Sequence, residues 1–322
     1  MRIQPIPHTN LTASVLCLGT GDMGAGIDRQ SSFRMLDEFL AGGGNFIDTA
    51  SIYSDWIPGE TSRSEKLIGA WMQARRIRSQ VVLATKGAHP RLDSMHVGRL
   101  SPGEVASDLE ASLRHLQTEV IDLYWLHRDD PSRPVAEILE TLHDLSLSGK
   151  LRYYGCSNWK LERIMDAQAY ARERGIPGFA AVQNLWNLAE LNPGGFADQT
   201  IAFMDDALWQ YHLQAQLAAV PYSSQANGVF QKLEKVAPEA LPANLQSWYL
   251  NPVTLERFRK LQALRLESGL TTTQIVLGYL TSQPFPTFPI VGPKSSEQLA
   301  DCLQAGDVLL TPEQIHDLEG ER

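Results

Sequence analysis

Cysteine is scarce in this chain. Cys17, Cys156 and Cys302 are an odd number at wide separations, with no C-x-x-C pair among them. That spacing excludes a disulfide scaffold and a thiolate zinc site, and leaves reduced, buried thiols in a cytoplasmic protein as the expectation. The eight histidines contain no H-x-H, so no metal is expected. No run of about five basic residues occurs, and the formal net charge is −9. Nucleic acid and anionic membrane surfaces are therefore not expected as partners. No stretch of about eighteen apolar residues appears, and the start, MRIQPIPHTNLTASVLCLG, has no apolar segment before Pro5 and Pro7. A soluble, unexported chain is expected. With 24 glycines and 18 prolines, composition is near average, which argues against collagen-like or low-complexity sequence.

What is present is a regular alternation. The chain has 322 residues, 43% of them hydrophobic and 20% charged, enough for a large core. Short apolar or β-branched runs begin at Val15, Asn45, Val81, Ile121, Leu151, Phe179, Gln216 and Phe288. Between them, helical periodicity predicts helices over 31–41, 64–75, 102–116, 134–148, 161–174, 200–212 and 272–281. Eight βα repeats predict a single-domain (β/α)8 TIM barrel over 1–322. Ser101-Pro-Gly-Glu104 reads as a capping box, and Gly149 as a left-handed residue ending the 134–148 helix. Longer inserts at 87–100, 187–199 and 223–252 would all rise from the C-terminal face, where barrel enzymes build their sites.

Polar residues stand where these strands end. Asp48 and Tyr53 follow the second, Lys86 ends the third and His127 ends the fourth. Strands of a parallel barrel are buried on both faces, so an unpaired Asp, Lys or His there would cost several kcal/mol. They must compensate one another or do chemistry.

In this order the residues resemble the aldo-keto reductases. The matching text is NFIDTASIY, SRSEKLIG (Ser64, Glu65, Gly69), VVLATK, IDLYWLH (Asp122), YYGCSN, VQN and VPYSS, and the likeness runs from Leu18 to the last helices. It implies a catalytic tetrad of Asp48, Tyr53, Lys86 and His127 for NADPH-dependent reduction of an aldehyde, ketone or sugar carbonyl to the alcohol. The residue types suit the reaction. A phenol can protonate the nascent alkoxide if its pKa of about 10 is brought down. Lys86 beside Tyr53 would do so, Asp48 would hold the ammonium, and a neutral His127 would orient the carbonyl by hydrogen bonding.

No G-x-G-x-x-G follows a first strand, and Leu18-Gly-Thr-Gly-Asp22 is too sparse to make a Rossmann fingerprint. The resemblance implies instead an extended nicotinamide dinucleotide across the barrel top. Gly21, Asp22 and Met23 would flank it, Ser157, Asn158 and Gln183 would bond the carboxamide, and Tyr222, followed by Ser223, would stack on the nicotinamide ring. Gly292, Lys294, Ser295 and Gln298 would hold the phosphates and adenosine at a helix start. Lys294 and Ser295 facing a 2′-phosphate favours NADP, with NAD open. Cys302 stands where the family usually has an adenine-contacting Asn.

For the substrate pocket, Trp56, Trp125 and Trp186 lie near strand ends and are candidates for an apolar wall. Asp22, Asp55 and Arg128 leave a hydroxylated substrate open. Two other classes compete. A metal-dependent barrel hydrolase would need more strand-end histidines than His127 alone. A cofactor-binding regulatory or redox-sensing subunit with little turnover, like the potassium-channel β-subunits that share the family's barrel, would keep the same tetrad.

Overall fold

The computed structural model describes residues 1–320. Eight parallel strands lie side by side in the order β10-β3-β4-β5-β6-β7-β8-β9. They are β3 (Cys17–Gly19), β4 (Phe46–Asp48), β5 (Val82–Gly87), β6 (Ile121–Leu126), β7 (Leu151–Ser157), β8 (Ala181–Gln183), β9 (Ala218–Ala219) and β10 (Ile290–Val291). The ring closes through the segment entering β10: Ala219 N donates to Pro286 O at 2.9 Å, Phe288 N to Ala219 O at 2.8 Å, and Ile290 N to Pro221 O at 2.9 Å. The fold is the expected (β/α)8 barrel.

Side-chain alternation sorts the strands into two cores. Phe46, Val82, Ala84, Leu123, Trp125, Ala181 and Phe288 fill the barrel interior, while Ile47, Leu83, Tyr124, Leu126 and Cys156 pack outward under the helices. The same inward phase carries on to Asp48, Lys86 and His127, so three charged or polar groups arrive on one rim because the strand period is two. An antiparallel hairpin the sequence reading did not include, β1 (Ile3–Pro5) with β2 (Thr12–Ser14), brings Ile6, Leu11 and Ala13 into the interior cluster and plugs the N-terminal end.

The surrounding helices are α1 (Arg29–Ala41), α2 (Arg63–Arg75), α3 (Pro102–Leu116), α4 (Val135–Leu147), α5 (Leu161–Arg174), α6 (Asp206–Ala215), α7 (Val229–Leu233), α8 (Ala243–Tyr249), α9 (Pro252–Ser268), α10 (Thr272–Thr281), α11 (Ser296–Ala305) and α12 (Pro312–Glu319). Two expectations need correction. The helix expected from 200 begins at Asp206, because Asp205 accepts from Leu208 N at 2.8 Å and caps it there. The box at Ser101 is not closed onto the backbone: Ser101 Oγ donates to Glu104 Oε2 at 2.5 Å, side chain to side chain. The 223–252 insert holds α7 and α8, and α9 follows it directly. Gly149 does take the left-handed conformation, φ 78°.

Several residues of the matching motifs serve this frame. Ser64 at the start of α2 shares hydrogen bonds of 2.8 Å with Thr20 and Thr49. Glu65, fully buried, accepts from Thr85 Oγ1 at 2.6 Å and pairs with His115 Nδ1 at 2.9 Å. A Cβ on Gly69 would lie 2.4 Å from His115 O, so glycine lets α2 approach α3. Asp122 accepts from Leu83 N at 2.9 Å and pairs with Arg78 and Arg152 at 2.8 Å each, bracing the lower half of β6.

Candidate active site

Lys86 is the centre of the site. Its ammonium, almost wholly buried, donates to Asp48 Oδ2 in a short ion pair, to Tyr53 OH at 2.8 Å and to Thr49 O at 3.0 Å, which uses all three of its donors. The other oxygen of Asp48 accepts from Gln183 Nε2 at 3.1 Å. Burial alone would pull the Lys86 pKa down, but Asp48 and Tyr53 carry it above the ordinary value. Burial likewise raises Asp48 against the pull of Lys86. The buried pair is compensated as an ion pair.

Tyr53 departs from expectation. Its pKa is raised, not brought down: burial is the largest cause, the Asp48 carboxylate adds to it, and Lys86 offsets only part. The group is therefore a firm phenol that accepts from Lys86 and keeps its own proton to give. His127 stands 6.0 Å from it, ring centre to ring centre at 80°. Burial, then His89, Lys86 and Arg128, hold the His127 pKa well below the ordinary value, so the imidazole is neutral. Its Nδ1 is buried without a partner.

A cleft of about 930 Å³ opens beside Tyr53. Gly21, Asp22, Met23, Trp56, Ser223, Gly292, Lys294 and Gln298 line it, gathering most of the residues expected to face a dinucleotide. Ser54 Oγ donates to Gly21 O at 2.9 Å and Ser224 Oγ to Ile290 O at 2.5 Å, tying the loops of the cleft together. Ser295 is the N-cap of α11, its Oγ accepting from Gln298 N at 3.3 Å, and so is engaged by its own helix. Lys294 Nζ sits 3.4 Å from Asp22 Oδ2 across the cleft.

Ser157, Asn158, Gln183 and Tyr222 lie together but are already bonded to one another. Ser157 Oγ donates to Gln183 O at 2.7 Å, Asn158 Nδ2 to Ser157 Oγ at 3.0 Å and His127 O at 3.3 Å, and Tyr222 OH to Asn158 Oδ1 at 2.6 Å. Two tryptophans are placed elsewhere than expected. Trp125 is fully buried within the barrel interior and shows no face to a ligand. Trp186 stacks on Phe285 and lines a second cavity of about 630 Å³ whose walls include none of the tetrad. Asp22, Asp55 and Arg128 do not converge on a hydroxyl-binding site. Asp55 Oδ1 accepts from Ser62 N at 2.7 Å, while Arg128 pairs with Asp198 at 3.1 Å and bonds Thr200 Oγ1 at 2.8 Å, strapping the 184–205 loop to the end of β6.

The sequence reading did not include His89, Gln225, Lys232 and Lys235. The last two are visible only as an unremarkable QKLEK run, yet both line the cleft. Burial and the neighbouring Lys294 and Lys235 depress the Lys232 pKa. Gln225 Nε2 lies 3.5 Å from Cys302 Sγ. The residues fit an anionic dinucleotide: Lys232, Lys235 and Lys294 border one cleft.

A model of the aldo/keto reductase family matches residues 15–320. The chain is 28% identical to norsolorinic acid reductase B of Aspergillus parasiticus, over 97% of this chain and 82% of that one. It is 32% identical to the uncharacterized oxidoreductase YrpG of Bacillus subtilis, over 95% and 91%. It is 30% identical to an aryl-alcohol dehydrogenase (NADP+) of Phanerodontia chrysosporium, over 91% and 76%. In fold it is similar to the crystal structure of a thermostable aldo-keto reductase, Tm1743, solved with an inhibitor: TM-score 0.74, 99% of both chains, 21% identity. The family match over nearly the whole chain makes this protein a member of the aldo/keto reductase family, an NAD(P)-dependent oxidoreductase.

Proposed function

We propose that the protein reduces a small-molecule carbonyl to the alcohol with NADPH, Tyr53 giving the proton. The observation that carries this reading is the Tyr53 hydroxyl, held 2.8 Å from Lys86 Nζ as an acceptor, so that its own proton is directed away from the ammonium. When bound, the dinucleotide supplies a hydride. Lys86 stabilises the tyrosinate left after proton transfer, Asp48 keeps Lys86 charged and in place, and His127 donates from Nε2 to the carbonyl oxygen and sets its angle. Ser157, Asn158, Gln183 and Tyr222 form the wall for the nicotinamide end, and Lys294, with Lys232 and Lys235, supports a preference for NADP. Reversal of each step oxidises an alcohol.

An apolar carbonyl compound, aromatic in the favoured case, is the substrate class we infer. Trp56, Ile57, Leu92, Val97 and Phe203 are exposed on the loops after β4, β5 and β8, all on the barrel's C-terminal face. Two relatives carry names of enzymes acting on aromatic compounds, norsolorinic acid and aryl alcohols. The test is NADPH oxidation by the purified protein with a panel of aromatic aldehydes, aliphatic ketones and sugars, repeated with Tyr53→Phe. Turnover at about one per second or above on some aromatic aldehyde, lost in the variant with NADPH binding retained, is expected. Turnover far below that on every compound would leave only cofactor binding.

A further inference from the structure

His89, on the loop after β5, belongs to no part of the reaction derived so far, yet its ring lies 4.6 Å from that of His127, edge to face at 70°. Among the described residues no hydrogen bond restrains the His127 imidazole, whose Nδ1 is buried without a partner. Two rings pack edge to face against it, Tyr53 at 6.0 Å and His89 at 4.6 Å, and His89 is the nearer. His89, by contrast, is locked. Its Nδ1 lies 2.6 Å from Pro90 O, a carbonyl that can only accept, so Nδ1 carries the proton and the ring is held in one orientation.

The loop is built to hold that ring there. Ala88 takes a left-handed conformation, φ 58°, that a non-glycine residue adopts at a cost. Its N–H donates to Asp108 Oδ2 at 2.8 Å. The His89 carbonyl accepts from Arg99 NH1 at 3.0 Å, and Arg99 in turn pairs with Asp108 at 2.9 Å. Two side chains, one of them on α3, thus pin the backbone on both sides of the strained residue, and the side chain that this turn delivers to the site is His89.

We propose that His89 is a positioning residue for carbonyl reduction, acting through His127 by fixing the plane from which the His127 Nε2–H meets the carbonyl oxygen. This rests on the reductase reading above. His89 also faces Arg128 and Asp198 and has its own pKa depressed by burial, so it stays an uncharged neighbour.

The test combines His89→Ala and His89→Phe, each alone and in a His127→Ala background, with NMR of histidine ring nitrogens in the free protein. His89→Ala is expected to lower kcat about tenfold with NADPH affinity within about twofold, and His89→Phe, which keeps a ring edge, to regain most of that. With His127 already Ala, removal of His89 is expected to change nothing further. In the spectra, the His127 nitrogens are expected to shift or broaden in His89→Ala while the backbone amides of the barrel stay in place. Full activity in His89→Ala, an additive loss in the double variant, a Phe variant no better than Ala, or unmoved His127 resonances would each overturn the proposal. Turnover far below about one per second on every carbonyl compound would instead overturn the reductase reading, and the ring-nitrogen spectra would still decide whether His89 sets the plane of His127.

Discussion

Gln183 Nε2 donates to Asp48 Oδ1 across the barrel mouth at 3.1 Å, joining β8 to β4 at the carboxylate that holds Lys86. This amide is therefore part of the charge network as well as a candidate wall of the cofactor site. Gln183→Leu is expected to leave the fold intact and lower kcat about tenfold, because the buried carboxylate loses one of its donors. Gln183→Glu should be worse, since two carboxylates would compete for one ammonium. Steady-state kinetics of the two variants check the order; a Glu variant as active as wild type would contradict it.

The Lys86–Asp48 pair is a stability statement as well as a catalytic one. Lys86→Met alone strands a buried carboxylate and is expected to cost about 3–5 kcal/mol. Lys86→Met combined with Asp48→Asn should recover a large part of that while remaining inactive. Denaturant unfolding of the single and double variants measures the difference, and equal stability of the two would argue that Asp48 is not charged in the folded protein.

Acid should weaken the fold through His212. Burial, against the Leu217 carbonyl bond at its Nδ1, lowers its pKa to about 4, where it stacks on Phe285. The unfolded chain takes up this proton near pH 6.5, the folded chain not until about pH 4. Between those values the unfolded state binds more protons, so stability present at neutral pH is lost as pH falls, by about 3 kcal/mol at the acid end. Replacing His212 by Phe should flatten that limb in a pH series of unfolding curves.

Lys294 bridges the cleft to Asp22. Both side chains are exposed, so the pair itself contributes little, about 0–1 kcal/mol. Lys294→Ala is expected to raise the Kd for NADPH about tenfold and that for NADH much less. Asp22→Ala, which frees the ammonium, should lower the Kd for NADPH. Fluorescence titration with both dinucleotides reads the two effects, and equal weakening of NADPH and NADH would remove the lysine from 2′-phosphate recognition.

Asp48, Lys86 and His127 were readable because the strands they end are mostly apolar, NFI, VVLAT and IDLYWL, with Asp122 the one charge among them. Their convergence follows from alternation, since each shares the inward phase of its strand. His89 gave no such signal, because its approach to His127 depends on the left-handed turn at Ala88 and on the Arg99–Asp108 clamp. Trp125 and Trp186 misled for the matching reason: a tryptophan near a strand end packs inward or outward according to phase and loop path.

What the sequence determined by itself is the periodic alternation that closes a parallel barrel and the order of polar residues on its rim, since both are local patterns repeated along the chain. Tertiary structure alone decided the upward direction of the Tyr53 pKa, the sharing of Asp48 between Lys86 and Gln183, and the meeting of Lys232 and Lys235 with Lys294 over one cleft. Those depend on burial and on distances between residues far apart in the chain, and burial is a property of the packed molecule that no local pattern carries.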